Sequence, residues 1–351
     1  MKALIASSNR GSNPNLRLLV QSITDHPEME SVLHDHALFW QDPHSLDVDI
    51  LHVNWPEEFF GWSIQEGQDL SALCQQLDRW RERAMIVATV HNFLPHYRDT
   101  PISHALYEAV YTRADGFIHR GVTSREDHHA RFRALANRGH AIIPSGVFTS
   151  FPNDISQAEA RAEFGLNEKD RVFLAIGQIR HREEINLVLK GFIALRLKHK
   201  RLLFSVNKKN ESAERLRRIY GTTLRFYPPV RFDVGFVPQE RVQVYMNAAD
   251  VLVIQRVKPL NSANLSLGFT FGKVVIGADS GVIGEILRET GNPVFDPHSI
   301  RSVAAAMKQG VELAARGHGA RNRLYAEQNW NWDSLADRHV AFYRTLLAAK
   351  R

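Results

Sequence analysis

Cysteine is almost missing from this chain. Cys74 is the single one in 351 residues, so no internal disulfide can form and a reducing compartment is expected. No run approaches the ~18 apolar residues of a membrane span. The apolar run in the opening MKALIASSNRGSN is too short for a secretion signal, so the chain is expected to be soluble, or at most peripheral to a membrane. Several catalytic signatures are also missing. There is no Walker-type lysine loop, no Gly-x-Gly-x-x-Gly after the first strand, and no Ser/His/Asp triad spacing.

The composition that remains is globular, with 44% hydrophobic and 23% charged residues, and the length suits two domains of ordinary size. The net charge of +6 hides an asymmetry. Residues 1–150 hold 13 Lys and Arg against 18 Asp and Glu, while the rest holds 31 against 20. Twelve of the seventeen histidines lie in the first part. A basic second part suits an anionic ligand such as a nucleoside diphosphate, a nucleic acid or an acidic membrane. Solvated helix faces such as RLKHKR account for most of that charge. Nucleic acid fits poorly, because the basic part lacks interleaved aromatics and the other part is acidic.

Apolar β-branched runs alternate with helical periods along the chain. KALIAS, ALFWQ, VDILHVNW, AMIVATVHN, DGFIHRG and HAIIPSG read as strands, separated by helices such as DLSALCQQLDRWRER, with Leu70, Leu73, Leu77 and Trp80 on one face. The pattern restarts after a linker at 144–152, with strands RVFLAIGQI, RLLFSVN, ADVLVIQ and KVVIGA. Each half is therefore expected to be a parallel sheet covered by helices. The boundaries fall at 1–150, 151–330 and a terminal helix, 331–351. In open α/β sheets ligands sit beyond the carboxyl ends of strands, so the chemistry is sought there.

Five strand exits stand out. In KPLNSANL, Asn261, Ser262 and Asn264 are good N-cap residues before a helix beginning near Leu265. Free amides and the helix dipole make an anion site there, with Lys258 adding charge. The bland reading is ordinary capping. Gly268 and Gly272 are expected to keep that helix slim. In GQIRHREE, Gly177 permits a turn, and Arg180 and Arg182 offer forked donors for phosphate; the bland reading pairs an arginine with Glu183 or Glu184. In TVHNFLPH, His91, Asn92 and His96 could bond sugar hydroxyls or move protons. A metal on His91 and His96 is disfavoured by their spacing of five and by the lack of a third ligand. In HVNWPEEF, which also holds His52, Trp55 could stack on a sugar face and Glu57 could be a base, although Trp55 could equally be core. SNRGSNPN, with Asn13, is the fifth. A short Asp-x-Asp at 47–49 opens a strand rather than closing one, and is set aside.

These segments resemble the GT-B glycosyltransferases of the bacterial exopolysaccharide and capsule type over nearly the whole length. HVNWPE is similar to their HxHWPE, TVHNFLPH to TVHNxxPH, GQIRHREEINLVLKGF to GxIRxYKG…F, and LNSANLSLGFTFGKVVIG to LNSGxLxLAxxFGxPVV. The resemblance implies an α/β GT-B fold of two Rossmann-like doubly wound domains facing across a cleft, with the C-terminal helix crossing back to the first. It implies that the first domain binds the acceptor, through Asn13, His52, Trp55, Asn92 and His96, and the second a nucleoside-diphosphate sugar. Backbone at Phe236, Val237 and Pro238 would hold the base. Gly177, Arg180, Arg182, Lys258, Asn261 and the cap Ser262, Ala263, Asn264 and Leu265 would hold the diphosphate. His91 would face the reacting carbon, with Glu57 the other candidate base. No metal or cofactor is implied, since cationic side chains and a helix dipole can stabilise the departing diphosphate. The implied reaction is hexosyl transfer from GDP-mannose or a UDP-hexose to a saccharide acceptor, expected to be lipid-linked, in surface polysaccharide synthesis. That places the chain in the cytoplasm, peripheral at the inner membrane.

Two departures matter. Arg182 and Glu183 stand where the family has Tyr and Lys. Gly268 and Leu260 stand where a large retaining group has paired glutamates, which favours inversion. The alternatives are a sugar-nucleotide epimerase of the same fold and a non-catalytic partner subunit.

Overall fold

The computed structural model describes residues 1–8, 13–94, 99–207, 214–224, 226–258 and 260–350. The chain forms two compact units, Met1–Gly146 together with Trp330–Arg351, and Val147–Asn329.

The first unit runs β1 (Lys2–Ala6), α1 (Pro14–Thr24), β2 (Ser31–His34), β3 (Ile50–Val53), α2 (Ser71–Arg83), β4 (Met85–Val90), α3 (Pro101–Tyr111), β5 (Gly116–His119), α4 (Val122–Arg131) and β6 (Gly139–Ile142). All strand pairs are parallel, in the order β2-β1-β3-β4-β5-β6. Every residue of β4, MIVATV, is buried, as expected for a central strand covered on both faces. One expected strand is corrected. ALFWQ forms a 3₁₀ turn, His36–Trp40, and the second strand is the preceding SVLH. The Asp35 carboxylate accepts the Ala37 N–H at 2.9 Å and starts the turn. Phe39 is then buried against Phe59, ring centroids 4.2 Å apart, so its aromatic mass plugs the core instead of extending the sheet.

The second unit runs α5 (Gln157–Ala162), β7 (Arg171–Gln178), α6 (Arg182–Ala194), β8 (Lys200–Asn207), a π-helical turn (Arg217–Gly221), β9 (Val230–Val234), α7 (Gln239–Ala248), β10 (Val251–Val253), α8 (Ala263–Thr270), β11 (Val274–Ala278), α9 (Gly281–Glu289), β12 (Val294–Phe295), α10 (Ile300–Ala315) and α11 (His318–Asn329). Its sheet is also parallel, ordered β12-β11-β10-β7-β8-β9. Both β12 and α11 escape sequence reading. The first is two residues long, and the second buries only Gly319, Asn322 and Ala326, so it carries no apolar stripe.

Gly268 and Gly272 do different jobs. A Cβ at Gly268 would come within 2.5 Å of Val275 and 2.8 Å of Leu252, so its absence lets α8 lie close on the sheet. Gly272 lies beyond the helix, at φ +62°. There the Gly272 N–H donates to the Phe269 carbonyl and the Lys273 N–H to the Gly268 carbonyl, both at 2.9 Å. This is a Schellman ending, which favours glycine at the left-handed position.

The terminal helix α12 (Trp332–Lys350) belongs to the first unit. Gly116 and Gly139 are register partners on β5 and β6, and a Cβ on either would come within 2.6 Å of Leu346. The paired glycines open a slot for that side chain. Leu335, Val340 and Leu346 are buried along the same helix, each contributing about 1.5–3 kcal/mol by removal from water.

Candidate active site

In the second unit the strand order reverses between β7 and β10, the place where doubly wound sheets bind ligands. A network of polar groups gathers at the carboxyl ends of these two strands. Glu184, in the first turn of α6, is 3% exposed and Arg256, just beyond β10, 9%. Arg256 Nη1 donates to both Glu184 oxygens at 2.8 Å, and the Arg180 N–H donates to Glu184 Oε2 at 2.8 Å. The carboxylate thus fixes the backbone that carries Arg180. It also sits at a helix N-terminus, where negative charge is favoured.

On the other flank, Asn264 Nδ2 donates to the Ile176 carbonyl at 2.7 Å, and Gln255 Nε2 reaches the same oxygen at 3.4 Å. Gly177 follows at φ +112°, yet it stays within β7, paired with Val206, so the turn expected there falls after Gln178. Ser262 caps α8, its Oγ accepting the Asn264 N–H at 3.3 Å, while the Leu265 N–H donates to the Ser262 carbonyl at 3.1 Å. Two of the amides expected to meet a diphosphate therefore have intramolecular acceptors. Leu265 itself is buried, and Lys258 and Ala263 are exposed beside the cap.

Arg182 is the first residue of α6. Its Nε donates to the Tyr220 hydroxyl at 3.1 Å, and its guanidinium stands 5.8 Å from that ring's centroid. Arg180, Arg182, Arg215 and Tyr220 line a pocket of about 390 Å³ with Ile179 and Leu216. Arg215 was not singled out in the sequence, because it reads there as one charge of a solvated helix. Phe236, Val237 and Pro238 follow β9 at its carboxyl end, with Phe236 56% exposed.

The first unit reverses its strand order between β1 and β3. Glu58, in a 3₁₀ turn Pro56–Phe60, accepts from Ser7 Oγ and from the Ser8 N–H, both at 2.6 Å, and so ties the two strand ends together. Its neighbour Glu57 is 4% exposed and accepts from the Tyr107 hydroxyl at 2.9 Å. Burial pushes the Glu57 carboxyl up, opposed by its backbone hydrogen bond and by Tyr107. Tyr111 donates to the Asn92 carbonyl at 2.9 Å, which pins the segment after β4. His91, at the head of that segment, stacks on Trp55 with centroids 4.4 Å apart and planes 15° from parallel. Its Nε2 stands 3.5 Å from Asn54 Oδ1. His91, Asn92 and Trp55 remain partly accessible.

Two expected ligand contacts take other roles. Asn13 caps α1, its Oδ1 accepting the N–H groups of Asn15 and Leu16 at 3.1 and 3.3 Å. His52 is fully buried, with Nδ1 2.7 Å from the Tyr343 hydroxyl and Nε2 2.7 Å from Thr89 Oγ1. An acceptor cannot reach it, because it joins the sheet to α12. His96 lies outside the described residues. The Asp-x-Asp at 47–49 is consumed locally, Asp47 by Lys2 and Arg83 and Asp49 by the Lys2 N–H.

The buried histidines have a consequence for acid stability. Desolvation holds His52 well below its usual range and His339 down to about 3. Both are neutral in the folded state, while the unfolded chain protonates its histidines below about 6.5. Their contribution is therefore complete above pH 6.5 and is lost as the pH falls below it, by about 1.4 kcal/mol per pH unit for each. Denaturant unfolding of the first unit between pH 7.5 and 5 is expected to show this loss. His339→Leu should remove about one proton from the slope, and an unchanged slope would count against the assignment.

No family model and no curated protein matches the sequence. Solved structures do. The chain is similar to sucrose-phosphate synthase of Thermosynechococcus elongatus, at 17% identity and TM-score 0.69, covering 99% of both chains. It is similar to HepE of Anabaena, solved with UDP and glucose, at 12% identity and TM-score 0.72, covering 98% of this chain and 100% of that one. It is also similar to the catalytic domain of starch synthase IV of Arabidopsis thaliana, bound to ADP and acarbose, at 11% identity and TM-score 0.65, covering 96% and 78%. What this likeness carries is the architecture, and the chain has the GT-B fold.

Proposed function

We propose that this protein is a glycosyltransferase that moves a hexose from GDP-mannose or a UDP-hexose to a lipid-linked saccharide, in bacterial surface polysaccharide synthesis at the inner membrane face. The observation that carries the reading is the Arg256–Glu184–Arg180 network beside the Ser262 cap. It is a preorganised cationic edge at a strand-order reversal, suited to a diphosphate. The fold of nucleotide-bound structures such as those of HepE with UDP-glucose supports it.

In this reading the acceptor hydroxyl oxygen attacks the anomeric carbon, and the bond from that carbon to the diphosphate oxygen breaks. The diphosphate leaves with the electron pair, held by Arg180, Lys258 and the α8 N-terminus. The hydroxyl proton passes to His91, and because the attack is a single displacement on the face opposite the departing diphosphate, the configuration inverts. Glu57, enclosed and already bonded to Tyr107, supports α3, whose Tyr111 holds the Asn92 carbonyl next to His91. No metal is needed, because fixed cations and amides meet the developing charge.

Arg180→Glu should weaken UDP or GDP binding about 10–100-fold, since a charge-assisted hydrogen bond contributes about 1.5–3 kcal/mol. A thermal-shift panel of nucleoside diphosphates measures it, and unchanged affinity would overturn the diphosphate assignment. Incubation with GDP- and UDP-sugars, with and without extracted lipid-linked acceptor, tests the reaction. Transfer supports it, whereas acceptor-free isomerisation or binding without turnover refutes it.

A further inference from the structure

Three histidines in the first unit come from three successive elements. His119 ends β5, His128 lies on α4 and His140 opens β6. Phe117 and His140 are register partners, and His119 follows Phe117 by two residues. All three side chains therefore share one sheet face, and His128 is the buried histidine of the helix joining these strands. The ligand nitrogens of His119, His128 and His140 all lie within 4.8 Å of one another. His119 Nε2 and His140 Nδ1 are 3.0 Å apart.

The central ring is the unexplained one. His128 is fully buried, and neither of its nitrogens has a hydrogen-bond partner among the described residues. A neutral imidazole has one donor and one acceptor, and leaving both unmet in a core is costly. The neighbouring His129 also has a buried Nε2 without a partner, and its ring stands 4.4 Å from that of His140.

We propose that His119, His128 and His140 form a structural site for a divalent transition metal, zinc above all. Neutral imidazoles suit zinc, at about 2.0–2.1 Å per bond, which sets the ligand nitrogens roughly 3.4 Å apart. The His119–His140 pair is already near that spacing, and the His128 nitrogen lies within 4.8 Å of both. The ion would clip the edge strand β6 to β5 and α4. Tyr111, which holds the Asn92 carbonyl, packs edge-on against His128 at 5.5 Å, so the clip would also stiffen the support of the candidate acceptor side. It is separate from any catalytic metal, and the transfer reaction does not pass through it.

The test uses the full chain without a polyhistidine tag, stripped with chelator and then titrated with Zn²⁺ or Co²⁺. About one zinc per chain by elemental analysis, a rise of several degrees in the unfolding temperature reversed by chelator, and the visible bands of tetrahedral Co²⁺ are expected. His128→Leu should abolish metal uptake and the thermal response, while matching or exceeding the stability of stripped wild type, because it removes two unmet polar atoms. His140→Gln, at a partly exposed position, carries the same test if the first variant misfolds. A wild-type chain that takes up no metal, or variants that respond to zinc as wild type does, would overturn the proposal.

Discussion

His91→Gln is expected to lower kcat/KM for sugar transfer by about 10²–10⁴-fold, the usual contribution of a positioned acid–base group. The acid limb of the pH profile should vanish with it. Nucleotide binding should be unchanged, because the diphosphate is read by the second unit. Glu57→Gln is the comparison that decides the assignment. Glutamine keeps an oxygen that can accept from Tyr107 but cannot take a proton at neutral pH. If His91 is the base, Glu57→Gln costs less than about tenfold, since only support is altered. If instead Glu57→Gln abolishes turnover and His91→Gln spares it, the carboxylate is the base and the roles proposed here are reversed. Tyr107→Phe adds an independent reading. It removes a hydrogen bond that holds the Glu57 carboxyl down, so the acid limb moves to higher pH only if Glu57 is the group being titrated.

The parts of this site that were legible in the sequence are those set by local chemistry. Ser262 was readable as a cap because a hydroxyl before an apolar helix has one common use, whereas Gly177, expected at a turn, stays paired within β7. The fold was readable because strands buried on both faces leave long apolar runs such as MIVATV, between helices of clear period. What escaped depends on partners distant in the chain. Glu184 and Arg256 are 72 residues apart; the sequence suggests a neighbouring arginine as Glu184's partner, and nothing near it points to Arg256. His52 looked like a ligand contact because it sits near a strand exit, yet its partners Tyr343 and Thr89 turn it into core. Gly116 and Gly139 make sense only once Leu346, more than 200 residues away, is seen between them.

Glu184→Ala is expected to destabilise the second unit by about 3–5 kcal/mol, because it leaves the Arg256 guanidinium buried without its counter-charge. The Arg180 N–H loses its acceptor at the same time. Stability and function can be separated with a double variant, Glu184→Leu with Arg256→Met. Replacing a buried ion pair by apolar groups of similar size is often neutral or stabilising by about 1–4 kcal/mol, so this protein should fold with near-normal denaturant unfolding. It should nevertheless bind UDP or GDP about tenfold more weakly, since forming the Arg180 turn must then be driven by binding itself. A double variant that is stable and binds nucleotide as tightly as wild type would show that the ion pair serves folding alone. It would also remove the network as the basis of the diphosphate site, leaving Arg180 and the α8 cap to carry that reading unsupported.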